Sequence, residues 1–465
     1  MVEPVRVDSV SRRTVLKGMA GAAGLISIPA IIAACSSSSA TTAPSEAAPS
    51  VAPSEAAPSV APSEAAPSVA PGSITVGSNY SDAVPKKVFQ DIIDTFTQQT
   101  GITVKVNTVD HGTFQDQISS YLQGTPDDVF TWFSGFRMRF FAAQGLATDI
   151  SDVWSSGGSH YSDAFKVGST GDDGKQYFIP IYNYPWAVFY RKSVFADKGY
   201  APPTTLAEFK TLAAKMKSDG LIPMAFGDKD GWPAMGTFDI LNLRQNGYDF
   251  HVGLMAGNQK WTDSKVKDVF TVFKDLLPFY QEGAAGRTWQ DAAQALVQKK
   301  AGMYLLGMFV SQQFQEAGQA DLDDLDFFPY PDFGTQYDAE KALDAPIDGL
   351  MVSANSPNLQ ADLDAAKAFL EYIALPATQV AWVTADPSNV AAAKDADTSG
   401  YSPLQKKAAE LIGNAQRITQ FLDRDTNPNF AGANGMQAFL LDFLKNPGQD
   451  LDAFLKKIQD FWDTL

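Results

Sequence analysis

The sequence has a single cysteine, Cys35, in 465 residues, so no intramolecular disulfide and no cysteine-based zinc site can form. Histidine is almost as scarce. His111, His160 and His251 lie far apart and match no HExxH-type spacing. Basic residues are in deficit: 36 Lys and Arg face 53 Asp and Glu, a net charge of -17 that excludes a nucleic-acid partner on electrostatic grounds. There is no GxSxG nucleophile elbow and no GxxxxGK[ST] phosphate loop. Asp425 to Asn429 has the outline of a calcium loop. It lacks glycine at the sixth position, though, and has Met436 where the twelfth-position glutamate belongs. No cofactor and no metal are expected. What is abundant is apolar: 45% of the residues are hydrophobic, enough for one large or two medium domains.

The N-terminus accounts for the lone cysteine. Ser11-Arg12-Arg13-Thr14-Val15-Leu16-Lys17 is a twin-arginine pattern, and Met19 to Ala34 is an apolar run of signal-peptide length, rich in Gly and Ala and short for a membrane span. The run ends in Ile32-Ala33-Ala34-Cys35, which looks like a bacterial lipoprotein lipobox; Cys35 would then be the lipidated first residue of the mature chain. The alternative is a plain N-terminal anchor helix. Residues 1–34 carry four basic and two acidic side chains, leaving 32 basic against 51 acidic in the mature chain. A tether follows over 35–72: a serine run, then TAPSEAAPS, VAPSEAAPS and VAPSEAAPS in succession from Thr42 to Ser68. With only isolated valines to bury, this repeat is expected to be disordered, with a reach of roughly 100 Å when extended by proline.

From Ser73 the pattern changes. Ile74 to Gly77 reads as a strand, Lys86 to Thr100 as an amphipathic helix closed by Gly101, and Ile102 to Val106 as an alternating strand. Phe114 to Leu122 reads as a helix and Val129 to Trp132 as a strand, an order that implies a parallel sheet under covering helices. A helix at Leu206 to Lys217 with a strand at Ile222 to Phe226, and a helix at Gln290 to Lys299 with a strand at Met303 to Leu306, repeat the theme. The last third is mainly helical, with helices at Leu363 to Ala374, Leu404 to Phe421, Gln437 to Leu444 and Leu451 to Trp462. In the ring-rich stretch TWFSGFRMRFF, Thr131 to Phe141, Phe140 and Phe141 lie on a helix and are expected in the core. Trp132, Ser134 and Gly135 sit where a parallel strand ends and ligands gather, and are expected at a binding site. Arg137 either bonds a ligand hydroxyl or pairs with an acid.

The lipoprotein signal, PDDVFTWFSGFRMRFFAAQGLATDIS, FIPIYNYPWAVFYRKSVF, GWPAMGTFDILNLRQNG, KAGMYLLGMF and KAFLEYIALPATQVAW together resemble the extracellular solute-binding proteins of carbohydrate ABC transporters, the group that includes maltose-binding protein. The likeness runs from about Ser73 to the end. It implies an α/β, two-lobe periplasmic-binding-protein-like fold with a cleft, several crossing strands and a helical C-terminus. By that likeness the N-terminal lobe is 73–183 plus 328–390 and the C-terminal lobe 184–327 plus 391–465. The chain would cross near Pro180 to Val188, Phe327 to Pro331 and Ser388 to Ser402. The implied function is capture of a sugar or oligosaccharide outside the membrane and its delivery to a membrane-embedded permease, by a monomer that is lipid-anchored and not an enzyme.

A sugar offers hydroxyls and apolar C–H faces, so its site needs rings for stacking and carboxylates, amides or arginines for hydrogen bonds. Such residues fall at predicted loops: Tyr80 and Asp82 after the first strand, Tyr184 and Trp186 at the first crossing, and Trp232, Asp239 and Asn242 after the strand at Ile222. Asp348 and Gly349 on the returning segment, and Arg424, complete the set with Phe309, which sits where the maltose-type pattern often has a ring. Trp261, Trp289, Trp382 and Trp462 are expected to pack. The rival reading is a secreted glycosidase-like lipoprotein, which needs two carboxylates across a cleft and draws on 51 acids.

Overall fold

The computed structural model describes residues 72–465; Cys35, the signal segment and the repeat lie outside them. Twelve strands follow in chain order: β1 (Ser73–Ser78), β2 (Thr103–Thr108), β3 (Val129–Phe133), β4 (Ile179–Asn183), β5 (Trp186–Arg191), β6 (Ile222–Met224), β7 (Ala301–Gly307), β8 (Leu325–Phe328), β9 (Ala342–Asp344), β10 (Ile347–Val352), β11 (Val390–Ala391) and β12 (Arg417–Thr419). They form two main sheets, ordered β11-β4-β10-β3-β1-β2 and β6-β7-β5-β8, and a small pair β12-β9.

The first sheet is parallel only where the sequence is strand–helix–strand–helix–strand. β1 runs parallel to β2 and β3, whereas β10 is antiparallel to β3 and β4, and β11 to β4. The direction of β10 is free because the chain reaches it after an excursion through the other sheet, so no right-handed crossover constrains it. Only two residues, Tyr184 and Pro185, separate β4 in the first sheet from β5 in the second. The chain returns between β8 and β10. After β11 it enters the helix Pro403–Asn414, where Lys407 Nζ meets Asp326 Oδ1 of β8 at 2.6 Å. Two lobes joined by three passages result.

Helix periodicity is read faithfully where one face is apolar. Ala83–Thr100 buries Val88, Phe89, Ile92, Ile93 and Phe96, and Phe96 meets the Phe369 ring of helix Leu359–Ala374 at 5.0 Å. The expected helix from Leu404 to Phe421 is instead the helix Pro403–Asn414 followed by β12, which pairs in parallel with β9. Gly413 and Asn414 are poor helix formers, and the edge of β9 satisfies the backbone of the β-branched Ile418 and Thr419.

The stretch TWFSGFRMRFF spans the end of β3, a turn at Gly135 with φ 95°, and the helix Phe136–Ala143. All of β3 is buried. Trp132 therefore lies in the core, 1% exposed, against the rings of Phe133 at 5.0 Å, Phe141 at 5.7 Å and Phe114 at 6.2 Å. Phe141 packs there as expected, while Phe140 is partly buried at its edge.

Candidate functional site

Loops and strand ends from both sheets converge on one cavity. One wall is a set of rings. Trp186 on β5 stacks on Phe421 at 5.0 Å and meets Trp232 edge-on at 6.3 Å. Phe309, just past β7, lies 5.8 Å from Trp232 and 5.1 Å from Trp289. Trp232 is held by the turn before helix Pro233–Asn246, where Asp228 Oδ1 accepts from the Ala234 amide at 2.8 Å. Burial pushes the Asp228 carboxyl up to about 8, so it is largely protonated at neutral pH.

The rest of the lining is polar and begins beside the rings, where Tyr184 lies 5.5 Å from Phe309. Asp348, on β10, accepts from Arg424 Nη1 at 2.6 Å, and Arg424 Nη2 donates to the Tyr184 hydroxyl at 3.1 Å. The Arg424 guanidinium also lies 3.8 Å over the Phe133 ring. Burial works against the charge of Arg424, but Asp348, the Tyr184 hydroxyl and Asp423 outweigh it and hold its pKa up. Burial likewise raises the Asp348 carboxyl, with Arg424 opposing.

Neighbouring polar groups are tied down. Asp82 Oδ1 accepts from Gln290 Nε2 at 2.9 Å across the mouth. Gln312 Nε2 reaches Asp386 Oδ2 and Ser388 Oγ, both at 3.2 Å, beside Asn389. His111 lines the cavity with Gln115 Nε2 at 2.9 Å from its Nε2; burial, then Arg424, pushes it down to about 4, so it is neutral at pH 7. Rings and fixed hydrogen-bonding groups lining one cavity suit a molecule with apolar C–H faces and many hydroxyls. Among the described residues, no group of three or more His, Cys, Asp or Glu could hold a metal ion.

The cavity gathers Tyr80, Asp82, Tyr184, Trp186, Trp232, Phe309, Asp348 and Arg424 of the residues expected from sequence. The remaining seven lie elsewhere. Trp132 is core, as above. Ser134 Oγ donates to the Gly168 carbonyl at 2.8 Å, and Gly135 packs on Asp425 and Gln420. Arg137 is buried with Nη1 on Gln115 Oε1 at 2.7 Å, behind the cavity and beside a second groove. Asp239 is wholly buried and accepts from the Leu422 amide at 2.7 Å. Asn242 bonds His251 and Asn246 inside the second lobe. Gly349 sits in mid-sheet, where a Cβ would collide with the Ile179 carbonyl.

Sequence reasoning did not single out His111, Gln115, Tyr182, Trp289, Gln312, Asn389, Phe421 or Asp423, all of which line the cavity. Trp289, expected to pack, forms part of the ring wall, while Trp261 and Trp382 are core. Tyr182 had a readable signal: it lies two residues before Tyr184, and side chains at that spacing share a face of an extended chain. Asn79 and Ser81 lie in the cluster that contains Tyr80 and Asp82 and also line the cavity.

Residues 80–380 match the family model for bacterial extracellular solute-binding proteins. The solved structure of the bacterial solute receptor AcbH, reported to have an exclusive substrate preference for β-D-galactopyranose, is 46% identical. It covers 85% of this chain and 99% of that one, with a TM-score of 0.81. The α-glucosides-binding periplasmic protein AglE of Rhizobium meliloti is 26% identical over 403 residues, 81% of this chain and 84% of its own. An uncharacterised ABC-transporter extracellular-binding protein of Pyrococcus horikoshii is 24% identical over 303 residues, and there the match spans 64% of this chain and 65% of that relative's length. The relatives named are binding proteins. With two lobes closing on one ring-lined cavity and a family model that covers most of the folded body, the chain belongs to the bacterial extracellular solute-binding proteins.

Proposed function

We propose that this chain is the substrate-binding lipoprotein of an ABC importer, and that its cavity takes a neutral pyranose of the β-D-galactopyranose kind. The observation that carries the reading is the meeting of rings and fixed polar groups in one cavity. Trp186, Trp232, Trp289 and Phe309 line a space that they share with Asp348, Arg424, Tyr184 and amides. The likeness to AcbH supports the choice of sugar. The monomer delivers that sugar to a membrane-embedded permease. Cys35 carries the lipid that keeps the protein at the outer face of the membrane, and the repeat over 36–72 lets the folded body reach away from it. No helix among the described residues is long and apolar enough to cross a membrane.

Two experiments test this. In a thermal-shift screen over galactose, glucose, lactose and an α-glucoside, galactose at 100 times its dissociation constant stabilises the protein by about 2.7 kcal/mol, without turnover. A screen in which none of these shifts the melt, or in which product accumulates, overturns the reading. In membrane fractionation, Cys35→Ala leaves the protein in the soluble fraction; retention on the membrane with the signal removed refutes the anchor.

A further inference from the structure

The cavity has three carboxylates, and they differ in how much of their accepting capacity is already used. Asp348 holds Arg424 Nη1 at 2.6 Å, and Asp82 holds Gln290 Nε2 at 2.9 Å. Asp423 is different. Its side chain is buried, yet Oδ1 has no hydrogen-bond partner among the described residues. Two guanidinium groups flank it without bonding to it: Arg424 Nε stands 3.7 Å from Oδ1, and Arg137 Nη1 stands 3.8 Å from Oδ2. Both distances are beyond hydrogen-bond length. Arg137 Nη1 is spent on Gln115, and Arg424 spends Nη1 on Asp348 and Nη2 on Tyr184; Arg424 Nε, like Asp423 Oδ1, has no hydrogen-bond partner among the described residues.

This arrangement leaves the lone pairs of Asp423 free. Burial raises its carboxyl above the usual carboxylate range, with Arg137 and then Arg424 opposing. A buried acceptor without a donor is costly, so the carboxylate gains most when a ligand donates to it. An ionised carboxylate accepts at both oxygens, and two neighbouring hydroxyls on a sugar ring present two donors side by side.

We propose that Asp423 is a specificity-determining residue of this site: its carboxylate accepts from two adjacent ring hydroxyls, selecting uncharged sugars that present such a pair over their deoxy counterparts. This rests on the reading of the cavity as a sugar site and names the group that separates a sugar from its deoxy counterpart. A ligand carboxylate brought to the same place would meet Asp423 and Asp348 at once, so sugar acids are rejected by like charge.

The test is calorimetric titration of the mature protein and of Asp423→Asn with galactose, glucose, mannose and lactose, and with deoxygalactoses lacking one ring hydroxyl each. Asparagine keeps the shape and one acceptor. The expected loss of affinity for galactose is about 10- to 100-fold, the range for a hydrogen bond to a charged group. Wild type loses a similar amount when one of two adjacent hydroxyls is missing, and Asp423→Asn loses little further with those same deoxy sugars. That non-additivity needs contact between residue and hydroxyl; a folding defect would lower binding of every sugar alike, and thermal melts check for one. If wild type binds galactose and Asp423→Asn binds it equally well, the Asp423 assignment is wrong and the sugar reading stands. If another sugar of the four binds instead, galactose is the wrong sugar, and Asp423 is judged by the loss for the one that binds. If none binds, both fail.

Discussion

At the scale of single residues, Trp132 and Trp232 look alike in sequence, each beside a glycine-containing turn. They differ in what covers them. Trp132 is enclosed by Phe114, Phe133 and Phe141, whereas Trp232 is half-buried and faces the cavity. Trp132→Ala should lower folding stability by roughly 3–5 kcal/mol, the usual cost of emptying a core ring. Trp232→Ala should cost less in the melt and weaken sugar binding by roughly 1–3 kcal/mol, about 5- to 150-fold in calorimetric titration. Asp228 offers a second test. Its folded-state pKa is raised to about 8 by burial, so its contribution to stability is full below its unfolded value near 3.8 and is lost as the pH rises towards 8. Asp228→Asn, which keeps an acceptor for the Ala234 amide, should therefore raise the melting temperature at pH 7.5, with the gain shrinking to nothing below about pH 4. A gain that is the same at both pH values would show that Asp228 is ionised in the fold.

At the scale of elements, the short helix Leu422–Asp425 carries both Asp423 and Arg424 into the cavity wall and buries three of its four residues. It is too short to hold its own position. Asp239 anchors it by accepting from the Leu422 amide, and burial, then Asp344, keeps the Asp239 carboxyl well above its ordinary value. Asp239→Ala should lower both melting temperature and sugar affinity. Asp239→Asn, the neutral isostere of a protonated acid, should keep both near wild type. Equal affinity in the alanine variant would free this helix from Asp239. Asp239 was expected as a ligand contact because an acid ahead of an apolar helix reads the same whether it meets a sugar or a backbone amide. The difference is made by Leu422, 183 positions away. Legibility followed this division. The helix Ala83–Thr100 and the helix Leu451–Trp462 were readable from one-sided apolar periodicity, and so were β1 to β3. Burial of Trp132 was not, because β3 is covered on both faces and its sequence has no alternation to show which side meets solvent. Asp423 escaped notice because a carboxylate reads as solvated surface until its neighbours are known.

At the scale of the whole molecule, the site belongs to neither lobe. Asp82 follows β1 of the first sheet, and its partner Gln290 lies on the helix Trp289–Val297 that packs beside the second. Asp82→Ala should loosen that closure. In small-angle scattering the unliganded variant should show a larger radius of gyration than wild type, returning to the wild-type value when saturated with the sugar that the thermal-shift screen identifies. An unchanged radius in both states would show that this bond does not hold the lobes. The same geometry has a temporal side. Arg424 bonds Asp348 across 76 positions and Tyr184 across 240, and the Phe136 amide reaches Asp425 across 289. A growing polypeptide can lay down β1 to β3 early, but the sugar has nothing complete to grip until residue 425 has left the ribosome. A bound sugar therefore cannot template the nascent chain. A product clipped before Leu422 would retain most of both sheets and still lack Asp423 and Arg424 from the wall of its site.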